Sequence, residues 1–478
     1  MKRIKQFSKT TQTILFVGVA ALLLAAPTLS RAENETTASD VTALSESASR
    51  EDARAVRRTR DAKLETYAEY DADQAFSLAW PASAGVRTAY VKWYAQPDCA
   101  ILVQSDENGL ELSRETIDEP SFNDVYAILP EARALSLSCE NGCKIAEVTL
   151  YSEGTLPEGV YDWQPPIKKA DLLVVSAHCD DELLFFGGTI PYYAGERGYQ
   201  VQVVYMANED RVRVDEALNG LWHAGVRNAP VFLPLKDVYT QTLRLALINW
   251  NEETTTRLLA EQIRRFQPEV IVTHDLNGEY GHGAHMATAT CMVNAVPLAA
   301  DDSFDPDTVS KFGVWQAQKL YLHLYPENRI TMDWNQPLTA FGGKTALEVA
   351  NESYHMHVSQ LDYHSNVFIG GDFSSTDFGL EYSAVGLDAA KNDFFEHIDP
   401  ARLSNYVAPT PSPTETLVPT ASPSETPVAA APVEKHGPQL NDAQKQNLLG
   451  ITSIAFLFLS AAALIVVRKQ REKKQPKE

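Results

Sequence analysis

Val174-Val175-Ser176-Ala177 runs directly into His178-Cys179-Asp180-Asp181-Glu182, and apolar and glycine residues follow from Leu183 to Gly188. A β-branched apolar run without alternation is the pattern of a strand buried on both faces. Open α/β sheets bind their ligands just beyond the carboxyl ends of such strands. One imidazole and three carboxylates at that point can therefore do chemistry. A histidine and a carboxylate three residues apart on one turn, His178 and Asp181, can grip a single cation and leave Asp180 for proton transfer. The same residues can also form a solvated turn.

A second segment repeats the design. Val270-Ile271-Val272-Thr273 ends in His274-Asp275 and runs through Gly278-Glu279-Tyr280-Gly281-His282-Gly283-Ala284-His285 into a helical stretch from about Met286 to Val296. His282 and His285 share one face if the helix has already begun. Two histidines at ligand spacing after a second strand end make the solvated-turn reading much weaker.

Together the segments resemble the PIG-L/LmbE-like de-N-acetylase family over residues 168–400, in the motifs His178-Cys179-Asp180-Asp181-Glu182 and Gly278 to His285. Fainter echoes are Arg213 with Glu216, His357-Val358-Ser359-Gln360, Gly379-Leu380 to Val385-Gly386, and Asn392 to Glu396. Family members are metal-dependent enzymes that remove acetyl groups from N-acetylglucosamine-type sugars. The resemblance implies His178, Asp181 and His285 as metal ligands, Asp180 as general base, and His282 as oxyanion stabiliser or acid. It implies Zn2+, with iron(II) or another divalent ion as substitute, since ligand types select a metal only loosely. Arg213, Asp237 and Tyr280 are the candidate substrate contacts; Arg213 with Glu216 can also be a helix-surface pair.

The chain departs from the family pattern twice. Cys179 stands where the family has proline, and Ala284 where it often has an acid. Neither change removes a ligand. The second removes a carboxylate of the kind that orients ligating histidines.

The expected fold is α/β, a Rossmann-like, mostly parallel sheet with helices on both faces. Its strands are expected at 172–177, 201–206, 231–233, 270–273 and 319–323, and its helices at 182–197, 214–224 and 253–266. No Gly-x-Gly-x-x-Gly follows the first strand, so nothing argues for a dinucleotide. Residues 62–160 alternate in short strands, which suggests a small β-sandwich; Lys144 to Tyr151 is similar to the last strand of galactose-binding-like jelly rolls. Trp93 and Tyr94 can stack on a sugar or fill the core.

The ends suggest export. Residues 1–32 read as a signal peptide, 33–61 as a disordered polar segment, and 408–440 as a Pro/Thr/Ser-rich stalk. Residues 448–467 read as a transmembrane helix and 468–478 as a basic cytoplasmic tail, which puts the catalytic body (168–405) outside a bacterial membrane. Cys139 can pair with Cys143 or either with Cys99, and Cys179 and Cys291 are expected to stay reduced. A formal charge of −22 disfavours nucleic acid as a partner. Arg211, Arg213 and Arg227 form the nearest basic cluster for an anionic substrate.

These features point to an extracellular metal-dependent N-deacetylase acting on an N-acetylglucosamine-containing glycoconjugate. The alternatives are an amidase on another sugar-amide conjugate and a non-catalytic surface glycan-binding protein. The oligomeric state is not readable from the sequence.

Overall fold

A computed structural model describes residues 36–47, 53–207 and 210–406, all within one compact unit. In its N-terminal part, β1 (Glu46–Ser47), β3 (Phe76–Ala79), β5 (Cys99–Ser105), β6 (Glu111–Asp118) and β8 (Ala134–Ser138) form one antiparallel sheet, ordered β1-β3-β8-β5-β6. A second antiparallel sheet joins β2 (Ala68–Tyr70), β4 (Val86–Ala95), β7 (Asn123–Ala127) and β9 (Cys143–Ser152), ordered β2-β9-β4-β7. Phe76, Leu102 and Leu137 of the first and Val91, Trp93 and Leu150 of the second share one buried cluster. Trp93 therefore belongs to the core, while Tyr94 packs at a tilt against Tyr67 with ring centres 4.2 Å apart.

Residues 33–61 were expected to be disordered, and their described parts are not. β1 pairs with β3, the Val41 N–H donates to the Leu150 carbonyl at 2.8 Å, and α1 (Ala53–Arg58) buries Val56. The small side chains of this polar segment bond to the sheet: the Thr42 hydroxyl accepts from the Leu150 N–H at 2.8 Å. β6 went unanticipated because its residues, Glu-Leu-Ser-Arg-Glu-Thr-Ile-Asp, are mostly exposed on a sheet edge.

The rest is a seven-stranded sheet. It contains β10 (Leu172–Ser176), β11 (Val201–Ala207), β12 (Val231–Leu235), β13 (Val270–Thr273), β14 (Lys319–His323), β15 (Arg329–Thr331) and β16 (Asp377–Ser383), ordered β12-β11-β10-β13-β14-β16-β15. β10 to β14 are mutually parallel; β16 runs antiparallel to β14 and β15. Alternate residues enter two cores. Leu172 and Val174 pack with α3 (Arg211–His223) and α8 (Ala346–Tyr354). Leu173 and Val175 pack on the other face with α4 (Leu243–Trp250), α5 (Glu252–Phe266) and α6 (Gly283–Ala299). The chain winds outward from β10 through β11 to β12, then returns to β10's other side at β13. That reversal opens a crevice between the carboxyl ends of β10 and β13, where doubly wound sheets bind ligands.

The helix expected over 182–197 is broken. α2 spans only Asp181–Leu184, and a π-helical turn follows at Pro191–Glu196. Gly187 has φ +52°, and a Cβ on Gly188 would lie 2.6 Å from the Ala346 methyl and 2.8 Å from the Trp334 ring. The glycines let α8 and Trp334 press against this segment.

The single-pass membrane placement is corrected. No helix among the described residues is long and apolar enough to cross a membrane. α6, with 17 residues, falls short of the ~20 a bilayer needs. The segments that suggested export and anchoring (1–32, 408–440, 448–467 and 468–478) lie outside the described residues. No disulfide joins the five cysteines. Cys139 and Cys143, on either side of the β8–β9 turn, are both buried and both free.

Candidate metal centre and active site

Both motif loops open into the crevice. His178 lies two residues beyond β10, Asp181 opens α2, and His285 sits in the first turn of α6. His178 Nδ1 lies 2.9 Å from Asp181 Oδ2, His285 Nε2 lies 3.2 Å from the same oxygen, and the two ring nitrogens are 3.2 Å apart. All three residues are buried. Two nitrogens and one carboxylate oxygen in a closed triangle of that size suit the ligand sphere of a small divalent cation, with zinc–ligand distances of about 2.0–2.2 Å. Two other histidines are nearby. His274 Nε2 accepts the Ala177 N–H at 2.9 Å and its Nδ1 meets Glu279 at 2.9 Å, so neither nitrogen is left for a cation. His282 Nδ1 accepts the Ala284 N–H at 3.2 Å, capping α6.

Carboxylates stand behind the histidines. Asp237 Oδ1 lies 3.4 Å from His178 Nε2. Glu279, fully buried, meets His285 Nδ1 at 2.7 Å and His323 Nδ1 at 2.6 Å. Burial opposes charge on Asp181 and Glu279, yet the surrounding imidazoles outweigh it and hold both well below the usual carboxylate range. Burial likewise opposes charge on His285, but Asp181 and Glu279 push it up to about 9. His282 goes the other way, pushed down to about 3 by burial and by the neighbouring His285 and His178.

Asp180 takes φ +145°, a conformation non-glycine residues rarely adopt and one often stored at functional sites. Its carboxylate accepts from Arg213 Nη2 at 3.2 Å, and the same guanidinium donates to the Cys179 carbonyl at 2.9 Å. Asp210 caps α3 by accepting from the Val212 and Arg213 N–H groups, which fixes the turn that carries Arg213. Glu216 turns elsewhere, accepting from the Ser359 N–H at 2.8 Å and hydroxyl at 2.6 Å. Arg213 and Glu216 therefore have separate partners, one at the site and one in the 358–360 turn. His357 of that segment is fully buried beside Glu182, and Gln360 reaches the pocket.

A cavity of about 440 Å³ opens above this set, lined by His178, Asp180, Asp181, Arg213, Asp237, Tyr280 and His282. The eight residues singled out from the sequence thus meet in one place; His285 lies beneath the floor, fully buried. The basic cluster does not form. Arg211 is buried against the Trp93 and Phe122 carbonyls, and Arg227 lies over Trp222, so Arg213 alone of the three lines the cavity. Sequence reasoning missed Glu279, His323 and the aromatic rim, where Tyr239 (64% exposed) and Tyr363 (78%) flank Tyr280 (44%). His323 carried a legible signal: it ends β14 as His274 follows β13.

Residues 173–296 match the PIG-L family, described as GlcNAc-PI de-N-acetylase, so the resemblance carried by the two motifs holds across both of them. The chain is 27% identical over 201 residues to 1D-myo-inositol 2-acetamido-2-deoxy-alpha-D-glucopyranoside deacetylase 1 of Catenulispora acidiphila, covering 36% of this chain and 61% of that one. It is 30% identical over 184 residues to the corresponding deacetylase of Thermobifida fusca, covering 32% and 62%. The match thus spans about three fifths of either relative. Among solved structures it is similar to N,N'-diacetylchitobiose deacetylase of Pyrococcus horikoshii, at 19% identity and a TM-score of 0.30, over 42% of this chain and 74% of that one.

Proposed function

We propose that the protein is a divalent-metal-dependent N-deacetylase that hydrolyses the acetamide of an N-acetylglucosamine-containing conjugate to acetate and a free amine. The observation that carries this reading is the donor triangle of His178, Asp181 and His285 with Asp180 beside it on the cavity wall. His178, Asp181 and His285 would hold the cation, zinc by donor type. The chemistry it supplies when bound is acidification of water and polarisation of the amide carbonyl.

The chain's own groups do the rest. Asp180 takes the proton of the attacking water as it adds to the carbonyl carbon, and returns it to the amine nitrogen as the C–N bond breaks. Arg213, 3.2 Å from Asp180, holds its carboxylate at the cavity wall. His282, neutral at ordinary pH, presents its remaining ring nitrogen to the oxygen that becomes negative, if that nitrogen carries the proton. That assignment agrees with Nδ1 acting as an acceptor from Ala284. Tyr280 and Tyr239 offer ring faces beside the sugar, with Tyr239 5.0 Å from the His282 ring. Asp237 orients His178 in this scheme rather than touching substrate.

Residues 168–405 form the catalytic domain, and 62–160 a β-sandwich, galactose-binding-like domain packed against it. The test is amine release from a panel that includes N-acetylglucosamine, N,N'-diacetylchitobiose and a glucosaminyl-inositol conjugate, with and without chelator. Release lost on chelation and restored by zinc supports the reading. Tight binding of the panel with no release would favour the glycan-binding alternative.

A further inference from the structure

We infer that Glu279 is a positioning residue for the metal site, holding His285 with its Nε2 toward Asp181 and His178. The inference rests on the metal-dependent reading above. Glu279 is fully buried and gathers three imidazoles from three elements. His285 on α6 and His274 after β13 meet its Oε2 at 2.7 and 2.9 Å, and His323 ending β14 meets Oε1 at 2.6 Å.

The tautomers follow from who donates. An ionised carboxylate only accepts, so each ring nitrogen facing it must carry hydrogen. For His274 this is independently fixed, because its Nε2 already accepts the Ala177 N–H at 2.9 Å and its proton must therefore sit on Nδ1. With Nδ1–H of His285 given to Glu279 in the same way, Nε2 is the nitrogen turned toward Asp181 and His178, where a bound cation would take the place of its proton. That atom lies 3.2 Å from both Asp181 Oδ2 and His178 Nδ1. A ligating histidine backed by a carboxylate is the usual device for fixing ring orientation and raising ligand basicity.

The backbone explains how Glu279, six positions before His285, can reach its ring. Gly278 at φ +67° and Tyr280 at φ +46° bend the chain on either side of Glu279 and turn its side chain inward under the site. Ala284, in α6's first turn, is buried and offers only a methyl group. His323, whose Nε2 meets the Ser374 carbonyl at 3.0 Å, pins the other oxygen of the carboxylate and keeps it from swinging away.

The experiment uses the full chain. Zinc affinity is measured by competition with a chromophoric chelator, and the cobalt(II) absorption spectrum is recorded, for the wild type, Glu279→Gln and Glu279→Asp. The amide of Glu279→Gln can donate to Nδ1 and shift the His285 proton to Nε2, so zinc should bind about 10–100-fold more weakly, with a changed cobalt spectrum. Glu279→Asp, which keeps the charge but is one methylene shorter, should fall between, and it carries the same test if the glutamine variant does not fold. A folded variant that melts lower yet binds zinc as tightly as the wild type, with the same cobalt spectrum, would make Glu279 merely structural and overturn the inference. A wild type that binds no zinc would overturn the metal reading as well, and is told apart by needing no variant.

Discussion

Asp180 sits at the carboxyl end of β10 with its backbone at φ +145° and its carboxylate tied to Arg213. Its neighbour Asp181 faces two histidines, so the adjacent carboxylates meet different partners. Replacing Asp180 by asparagine should lower kcat by about 10²–10⁴, the usual worth of a general base. Zinc affinity should change little, and parallel loss of both would contradict the division of labour. A second residue-scale prediction lies far from the site. Burial pushes the Asp124 carboxyl up to about 6 from 3.8, although Trp93, Tyr126 and Ser121 all donate to it. A raised folded pKa means the folded chain binds this proton more tightly than the unfolded one. The stabilisation is therefore complete below pH 3.8 and is lost as pH rises to about 6. Asp124 keeps some contact with solvent, so the loss is roughly 1–3 kcal/mol. Denaturant titrations of wild type and Asp124→Asn across that range should diverge; parallel curves would count against it. The candidate ligands were legible because they follow strand ends in short, fixed spacing. Glu279 stands in the sequence too, between Gly278 and Tyr280. Nothing in its neighbours revealed that two left-handed residues would turn it inward.

At the scale of elements, the strands declared themselves through unbroken apolar runs, and β10, β13 and β14 end within a residue of where those runs end. Helix limits were less legible because packing decides them. The 182–197 stretch has helical periodicity, yet Gly187 and Gly188 cede space to Trp334 and Ala346, and Pro191 opens a π-helical turn. α6 begins at Gly283, three residues before the expected start, for a similar reason. The Gly283 N–H donates to the Thr240 carbonyl at 2.7 Å, and a Cβ there would collide with the Thr240 hydroxyl and lie 2.7 Å from the Thr242 carbonyl. That contact seats the helix turn holding His282 and His285. Gly283→Ala should therefore lower both the melting temperature and zinc affinity. An alanine variant with wild-type affinity would show that the turn is not seated by this contact.

The two halves of the described molecule share their interior. Phe122, just before β7, belongs to the same buried cluster as Leu172 and Val174, and stands edge-on to Phe232 at 5.1 Å. Arg211 donates to the Trp93 carbonyl at 2.7 Å, and Asp215 accepts from Lys92 and Asn123, each at 2.9 Å. These bonds hold the first turns of α3, two residues from Arg213. Calorimetry should thus show one transition for the two halves, and two well-separated transitions would contradict the shared core. None of these cross-contacts was visible in the sequence, where the two parts read as separate units; they arise from residues more than 80 positions apart. The central claim is hydrolysis at the His178, Asp181 and His285 centre, and its most direct test is amine release from N-acetylglucosamine conjugates by zinc-loaded protein. The account predicts release that stops with chelator and in Asp180→Asn while that variant still binds one zinc. Release that persists in Asp180→Asn or without metal would contradict it.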